Sequence, residues 1–183
     1  MIENLIGKRY ADALSSSIKE DSLLNPTLAS LKGFQGAFEA QPQLSRFFAH
    51  PSIPLEKKNS MVNALAQKLN VGNAVLSLLL ILSERKKILY VGNIAEYFEK
   101  IVDRRLNQVR ASVQSANPLT SQNIERLRSA LSKILGKNVL IDTEVDESLI
   151  GGIQLRVGDQ VADATIKNRL AMLKQKLAKE EVA

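Results

Sequence analysis

The stretch from Gly151 to Leu177, GGIQLRVGDQVADATIKNRLAMLKQKL, decides how the second half of this chain folds. Ile153, Leu155 and Val157 alternate with Gln154 and Arg156, the period of a half-buried strand. Gly158-Asp159 supplies a tight turn, since glycine tolerates positive φ and aspartate bonds its local backbone. Val161 and Ala164 resume on the far side. Thr165 is positioned to cap a helix in which Ile166, Leu170, Leu173 and Leu177 recur at spacings of 4, 3 and 4. The unit carries no arrangement of nucleophile and base, and it reads as a docking element.

Working back from it, the sequence predicts a strand–helix–strand–strand–helix order from Asn107 onward. Val109, Ala111 and Val113 alternate with polar residues. Asn117-Pro118 turns the chain, Ser121 is the expected cap of a helix carrying Ile124, Leu127, Leu131, Ile134 and Leu135, and Gly136 stops it. Val139, Ile141, Thr143 and Val145 make a second alternating strand. The first half instead reads as helices with short breaks. Ile6, Tyr10, Ala13 and Leu14 share a face of the first. Asn25-Pro26 predicts a second start, with Asn as cap and Pro at the first helical position. Further helices carry Leu44, Phe47 and Phe48; then Met61, Val62, Leu65 and Leu69; then the run Ala74–Leu82; and last Ile94, Tyr97, Phe98, Ile101 and Val102. The run Ala74–Leu82 is apolar on nearly every face, which places it at the centre of a bundle or beside a groove filled by another chain. The expected architecture is mainly α: a six-helix bundle over residues 1–106 and a small mixed α/β domain over 107–183. A unit of that second size buries little surface and is expected to lean on a partner.

Composition narrows the function. The 183 residues include no cysteine, which excludes disulfides, thiolate metal sites and cysteine nucleophiles. The longest apolar run is far short of the ~20 residues that span a bilayer. The start, MIENLIGKRY, lacks the basic-then-apolar pattern of a secretory signal and the Arg- and Ser-rich pattern of a transit peptide, so a bacterial or mature chain is expected. The net charge of +6 is dispersed, and its densest segment is the last helix, with Lys167, Arg169, Lys174, Lys176 and Lys179. Such a face meets solvent, an acidic partner, RNA or an anionic membrane. There is no phosphate-binding GxxxxGK[ST] loop and no GxGxxG. The single His50, between Ala49 and Pro51, fits a connector better than a metal site or a catalytic base. Asp142, Glu144 and Asp146 alternate along a strand and are expected to be its solvated face. No catalytic residue, metal or cofactor is expected, and the chain does not read as an enzyme.

Three motifs together resemble the δ subunit of bacterial and chloroplast F-type ATP synthases, the OSCP of mitochondria. In the C-terminal signature, Gly152, Arg156, Gly158, Asp159, Asp163, Ile166, Arg169 and Leu170 occupy the positions of a small-residue pair, an Arg-bearing strand, Gly-Asp, Asp and a basic helix. Arg9-Tyr10-Ala11-Asp12-Ala13-Leu14 is similar to the family's RYAxAL opening. LLILSERKKILYVGNIA, from Leu79 to Ala95, is similar to its helix–basic turn–helix. The resemblance implies a non-catalytic stator on the cytoplasmic face of a bacterial inner membrane, or its equivalent, held to the membrane only through the complex. It would join the catalytic head of α and β subunits to the b subunits of the peripheral stalk. It also implies a groove between the first and fifth helices for the α-subunit N-terminal helix, involving Ile6, Arg9, Tyr10, Ala13, Leu14, Val75, Leu78, Leu79 and Leu82. Arg156, Gly158, Asp159, Asp163, Arg169, Lys174 and Lys176 would meet the stalk. The competing expectation is an RNA-binding bundle of the antitermination type. It calls for exposed stacking aromatics, whereas the C-terminal strands carry none and the five Phe fall on inner helix stripes. A membrane-surface role for the last helix lacks Trp or Phe anchors.

Overall fold

A computed structural model describes the backbone of residues 2–180 and the side chains of residues 5–174. The chain divides into two compact units, Met1–Leu106 and Asn107–Ala183.

The N-terminal unit is all helical: α1 (Ile2–Ser17), α2 (Leu24–Ala40), α3 (Pro42–Ala49), α4 (Leu55–Lys68), α5 (Asn73–Glu84) and α6 (Val91–Arg105). Single 3-10 turns at Asp21–Leu23 and Ile88–Tyr90 lead into α2 and α6. Helix α2 therefore starts at Leu24, one residue before the expected Asn25 cap. Pro26 sits inside its first turn, where a missing N–H costs nothing because that turn has no upstream carbonyl to bond. Pro42 does open α3, and Pro54 precedes α4. The core is built from Leu28, Leu31, Phe34, Val62, Leu79, Leu82, Ile94, Phe98 and Val102, all buried. Phe34, Phe38 and Phe48 form a chain of tilted rings with centroids 5.3 and 5.5 Å apart.

The buried stripe of α1 differs from the one the apolar spacing predicts. It is Gly7, Ala11 and Leu14, continued by Ile18 just past the helix end, with the larger Ile6 and Tyr10 half-buried on its flank and Ala13 exposed. Small residues let α1 approach α6 closely: a Cβ on Gly7 would lie 2.9 Å from Tyr97 Cδ2 and 3.0 Å from the Asn93 carbonyl oxygen. The end of α1 is fastened by Arg105. Its guanidinium donates to the carbonyls of Ser15, Ile18 and Lys19 and meets Asp21 Oδ1 at 2.7 Å. A cation at a helix C-terminus satisfies carbonyls that have no partner further along the chain.

The C-terminal unit runs β1 (Gln108–Ser115), α7 (Ser121–Leu135), β2 (Asn138–Val145), β3 (Ile153–Val157), β4 (Gln160–Asp163) and α8 (Ile166–Glu180). Its sheet has the order β2-β1-β3-β4. The β1–β2 pair is parallel, with Val109 opposite Val139 and Ala111 opposite Ile141, and α7 is the crossover that a parallel pair requires. The other pairs are antiparallel. Thr120, not Ser121, caps α7, its hydroxyl accepting from the Asn123 N–H. Gly136 ends that helix in the left-handed conformation. The buried centre is small: Ala111, Leu131 and Val139, supported by Leu127, Ile141, Leu155 and Val157. Ile134, read as part of the inner stripe of α7, is instead 79% exposed.

Candidate interaction surfaces

The C-terminal signature folds as one hydrogen-bonded corner. Val157 pairs with Gln160, so Gly158 and Asp159 alone make the hairpin turn, with Gly158 at φ +59°. Glycine at a first corner of positive φ suits the twist of the flanking strands. At the other end Gly152 sits at φ +88°, and a Cβ there would lie 2.5 Å from the Ala164 carbonyl oxygen and 2.9 Å from Thr165 Cα. Only glycine fits both the conformation and the gap. The tight passage lets the Ala164 N–H reach the Ile153 carbonyl and the Ile166 N–H reach the Gly151 carbonyl.

The start of α8 is set by three linked bonds. Asp163 Oδ1 accepts from the Thr165 N–H at 2.9 Å. Thr165 Oγ1 accepts from the Asn168 N–H at 3.2 Å, and Asn168 Nδ2 donates to the Asp163 carbonyl at 3.1 Å. Hydrogen bonds from Thr165 hold the Asp163 carboxyl below the usual carboxylate range. Thr165 is thus the helix cap, and Asp163 is its architectural partner as well as a surface residue. Arg156 stands exposed on β3 between Ser112 and Val161. Arg169 and Lys174 are exposed on α8, whereas the side chain of Lys176 lies outside the described residues, as do those of Leu177 and Lys179.

The apolar stripe of α8 has no cover among the described residues: Ile166, Leu170 and Leu173 are 44%, 56% and 56% exposed. Helix α7 and the β3–β4 hairpin add an open apolar depression lined by Ile134, Leu135, Leu155 and Val161.

In the N-terminal unit the structure separates the nine expected groove residues. Leu14, Val75, Leu78, Leu79 and Leu82 are core; Ile6 and Tyr10 are half-buried; Arg9 and Ala13 are exposed. Helix α5 lies beside α1. Its outward stripe is Ala74, Ser77 and Ile81, with Ile81 47% exposed, while Leu76 and Leu80 are partly covered. Sequence reading missed this stripe, because periodicity cannot orient a helix that is apolar all round. The one hydroxyl in the run, Ser77, was the available signal: Ala74 and Ile81 stand three and four residues from it, on the same face.

The polar candidates are structural. His50 Nδ1 accepts from the Ser52 N–H inside the connector, and Glu144 accepts from Gln114. Among the described residues no group of three acidic or histidine side chains is placed to hold a metal ion. No described helix is long and apolar enough to cross a membrane.

Comparison with known proteins gives these surfaces a context. A sequence model of the ATP synthase delta (OSCP) subunit matches residues 6–177. The chain belongs to that family. The ATP synthase subunit delta of Desulfosudis oleivorans is 35% identical over 177 residues, covering 97% of each chain. That of Syntrophus aciditrophicus is 33% identical, covering 97% of this chain and 98% of the relative. That of Syntrophomonas wolfei is 30% identical over the whole of both chains. In fold, the chain is similar to one in the mitochondrial ATP synthase hexamer of Toxoplasma gondii, with a TM-score of 0.65, 22% identity and coverage of 94% and 97%. Membership makes this a delta/OSCP-type component of the F-type ATP synthase, and the helical and mixed α/β halves agree with that fold. The Gly152–Leu170 signature has a physical meaning here, since Gly152, Gly158, Asp159 and Asp163 build the corner, the hairpin turn and the start of α8.

Proposed function

We propose that the protein is a non-catalytic stator subunit that ties the catalytic head of the ATP synthase to the b subunits of its peripheral stalk. The head is then kept from turning with the rotor, and proton-driven rotation becomes ATP synthesis. One observation carries this reading: a family member of this length folds as two compact units, each with an apolar helix face left open. A tether needs two attachment surfaces and no reaction centre.

In this reading the N-terminal unit receives the amphipathic N-terminal helix of an α subunit on the side where α1 and α5 meet, and the head's β subunits lie nearby. Ile6, Arg9, Tyr10 and Ala13 supply the accessible contacts from α1, and Ala74, Ser77 and Ile81 those from α5. Val75, Leu78, Leu79 and Leu82 shape the groove from beneath, as the core that fixes the height of α5. An apolar helix face laid in such a groove is a recurrent mode of recognition. The C-terminal unit meets the stalk through α8, whose Ile166–Leu170–Leu173 stripe is bordered by Arg169 and Lys174. Basic residues beside an apolar stripe suit an acidic amphipathic helix, and their charge speeds and orients docking. The protein would sit peripherally, on the cytoplasmic face in a bacterium, held through the complex.

Calorimetric titration with a peptide from the α-subunit N-terminus tests the first attachment. Saturable 1:1 binding is expected, lost in Arg9→Glu/Ile81→Asp, with both side chains exposed so that the fold survives. Absence of binding at all salt concentrations, with salt-sensitive retention of RNA instead, would replace the stator reading with the nucleic-acid one.

A further inference from the structure

A cavity of about 500 Å³ opens in the N-terminal unit where the α3–α4 connector meets the end of α5 and the turn before α6. Its apolar wall includes Ile53, Leu55 and Leu89, and Leu55 and Leu89 are 43% and 45% exposed. Two buried polar side chains line it as well. Lys58 is 8% exposed, and its Nζ donates to the carbonyls of Phe48 at 2.7 Å and His50 at 2.9 Å. An ammonium has three N–H donors, so one remains after these two bonds, and no carboxylate pairs with it among the described residues. Ser83 is 3% exposed, and its hydroxyl has no hydrogen-bond partner among the described residues.

Closing the end of α3 explains why a cation stands at residue 58. It explains neither the spare N–H nor the unpartnered Ser83. Buried polar groups are nearly always satisfied, and each exception asks for a reason. Here a buried donor with positive charge and a hydroxyl share one cavity whose wall is otherwise mostly apolar, with the exposed Glu84 and Lys86 also at its lining. The missing partner is therefore an acceptor, anionic and attached to an apolar body. Glu84 and Lys86 at the lining offset each other, so its net charge is that of Lys58 alone, which suits a monoanion better than a phosphate dianion. We propose that this cavity is a binding site for an aliphatic carboxylate. Its oxygens accept from Lys58 Nζ and Ser83 Oγ, and its hydrocarbon lies against Ile53, Leu55 and Leu89. The volume is in the range of small-ligand pockets. The same chemistry comes from two sources, a free medium-chain fatty acid or an acidic side chain with aliphatic neighbours on a partner protein.

The test is calorimetry on the full chain with octanoate, octanol, octylamine and the capped peptide acetyl-Leu-Glu-Leu-amide. Saturable 1:1 binding of octanoate is expected, with octanol at least tenfold weaker, the scale of losing a charge-assisted hydrogen bond, roughly. Octylamine should not bind. Ser83→Ala should weaken octanoate by about tenfold while leaving the melting temperature unchanged or raised, since it removes an unsatisfied buried hydroxyl. A merely structural serine would show the opposite pair of effects. Leu89→Asp, at an exposed position, should abolish binding by setting an anion at the mouth. Binding of octanoate alone identifies the fatty-acid source, and binding of the peptide identifies the partner-chain source. The proposal is overturned if neither binds, or if binding is indifferent to Ser83→Ala and Leu89→Asp.

Discussion

The two units solve the same problem with unequal means. The N-terminal bundle buries four aromatic and many aliphatic side chains in one continuous core, among them Phe34, Leu31, Leu79, Ile94 and Phe98 at 0% exposure. Among the described residues the C-terminal unit buries only Ala111, Val113, Leu131 and Val139 of its apolar side chains and leaves Ile134, Val161, Ile166, Leu170 and Leu173 in contact with water. Small domains gain little from burial, so this unit is held by backbone geometry: a parallel pair closed by a crossover, a two-residue hairpin and a linked cap. The difference teaches which half of the chain can be soft. The bundle is a finished body, whereas the C-terminal unit leaves the apolar stripe of its last helix open, the face that in the proposed reading a partner helix covers.

That contrast is broken most directly by core truncation. Phe98→Ala should destabilise the bundle by about 3–5 kcal/mol, the usual cost of removing a fully buried aromatic ring. Leu131→Ala, at 9% exposure, should cost less, because its surroundings include an open depression that water already enters. Two separate urea transitions, with the C-terminal one first, are expected in the full chain. A single transition moved equally by both substitutions would show that the units do not differ in this way.

Backbone geometry comes next. Gly152→Ala forces a side chain into a left-handed φ and against the Ala164 carbonyl. Strain of that kind costs about 1–3 kcal/mol. Hydrogen exchange should show the loss confined to β3, β4 and the start of α8, with α1–α6 unchanged. Arg105→Ala should act only in the other unit. It removes the bonds that close α1 and should cost about 1–2 kcal/mol, discounted from the value for buried charged pairs because the side chain is partly solvated. Fraying of residues 15–19 by exchange checks it.

Much of this organisation was legible in residues. The alternation of Val109, Ala111 and Val113 and the spacing of Ile166, Leu170 and Leu173 fix element type, because periods of 2 and 3.6 are set by the backbone alone. Glycine and threonine punctuation located the hairpin and α8 for the same reason. Orientation was harder. Gly7 and Ala11 carry the α1–α6 contact, yet an apolar count passes over small residues in favour of Ile6 and Tyr10. In α5 every face is apolar, so Leu79 and Ile81 look alike in sequence although one is wholly buried and the other half open. Lys58 and Ser83 gave no signal, since their neighbours come from the α3–α4 connector and the turn after α5, brought together only by folding.

The smallest expected effect is electrostatic and belongs to the C-terminal unit. Hydrogen bonds from Thr165 lower the Asp163 carboxyl from 3.8, and hydrogen bonds from Ser148, with a lesser contribution from Lys167, lower Asp146. A depressed carboxyl binds its proton less readily in the folded state than in the unfolded one. Its contribution is therefore complete above the unfolded value and is lost as pH falls through the folded one. The window lies below about 3.8, so stability should be flat in these two groups from pH 7 to 5 and decline only in stronger acid. Acid should therefore loosen the start of α8 and the turn at Asp146 within the C-terminal unit. Carboxyl carbon NMR through the titration reads this directly. Asp163→Asn keeps an acceptor for the Thr165 N–H while removing the charge, so it should preserve the turn and erase that residue's share of the acid slope. If Asp163 titrates at or above 3.8 in the folded chain, the cap is not what holds it, and the start of α8 is looser than its three hydrogen bonds imply.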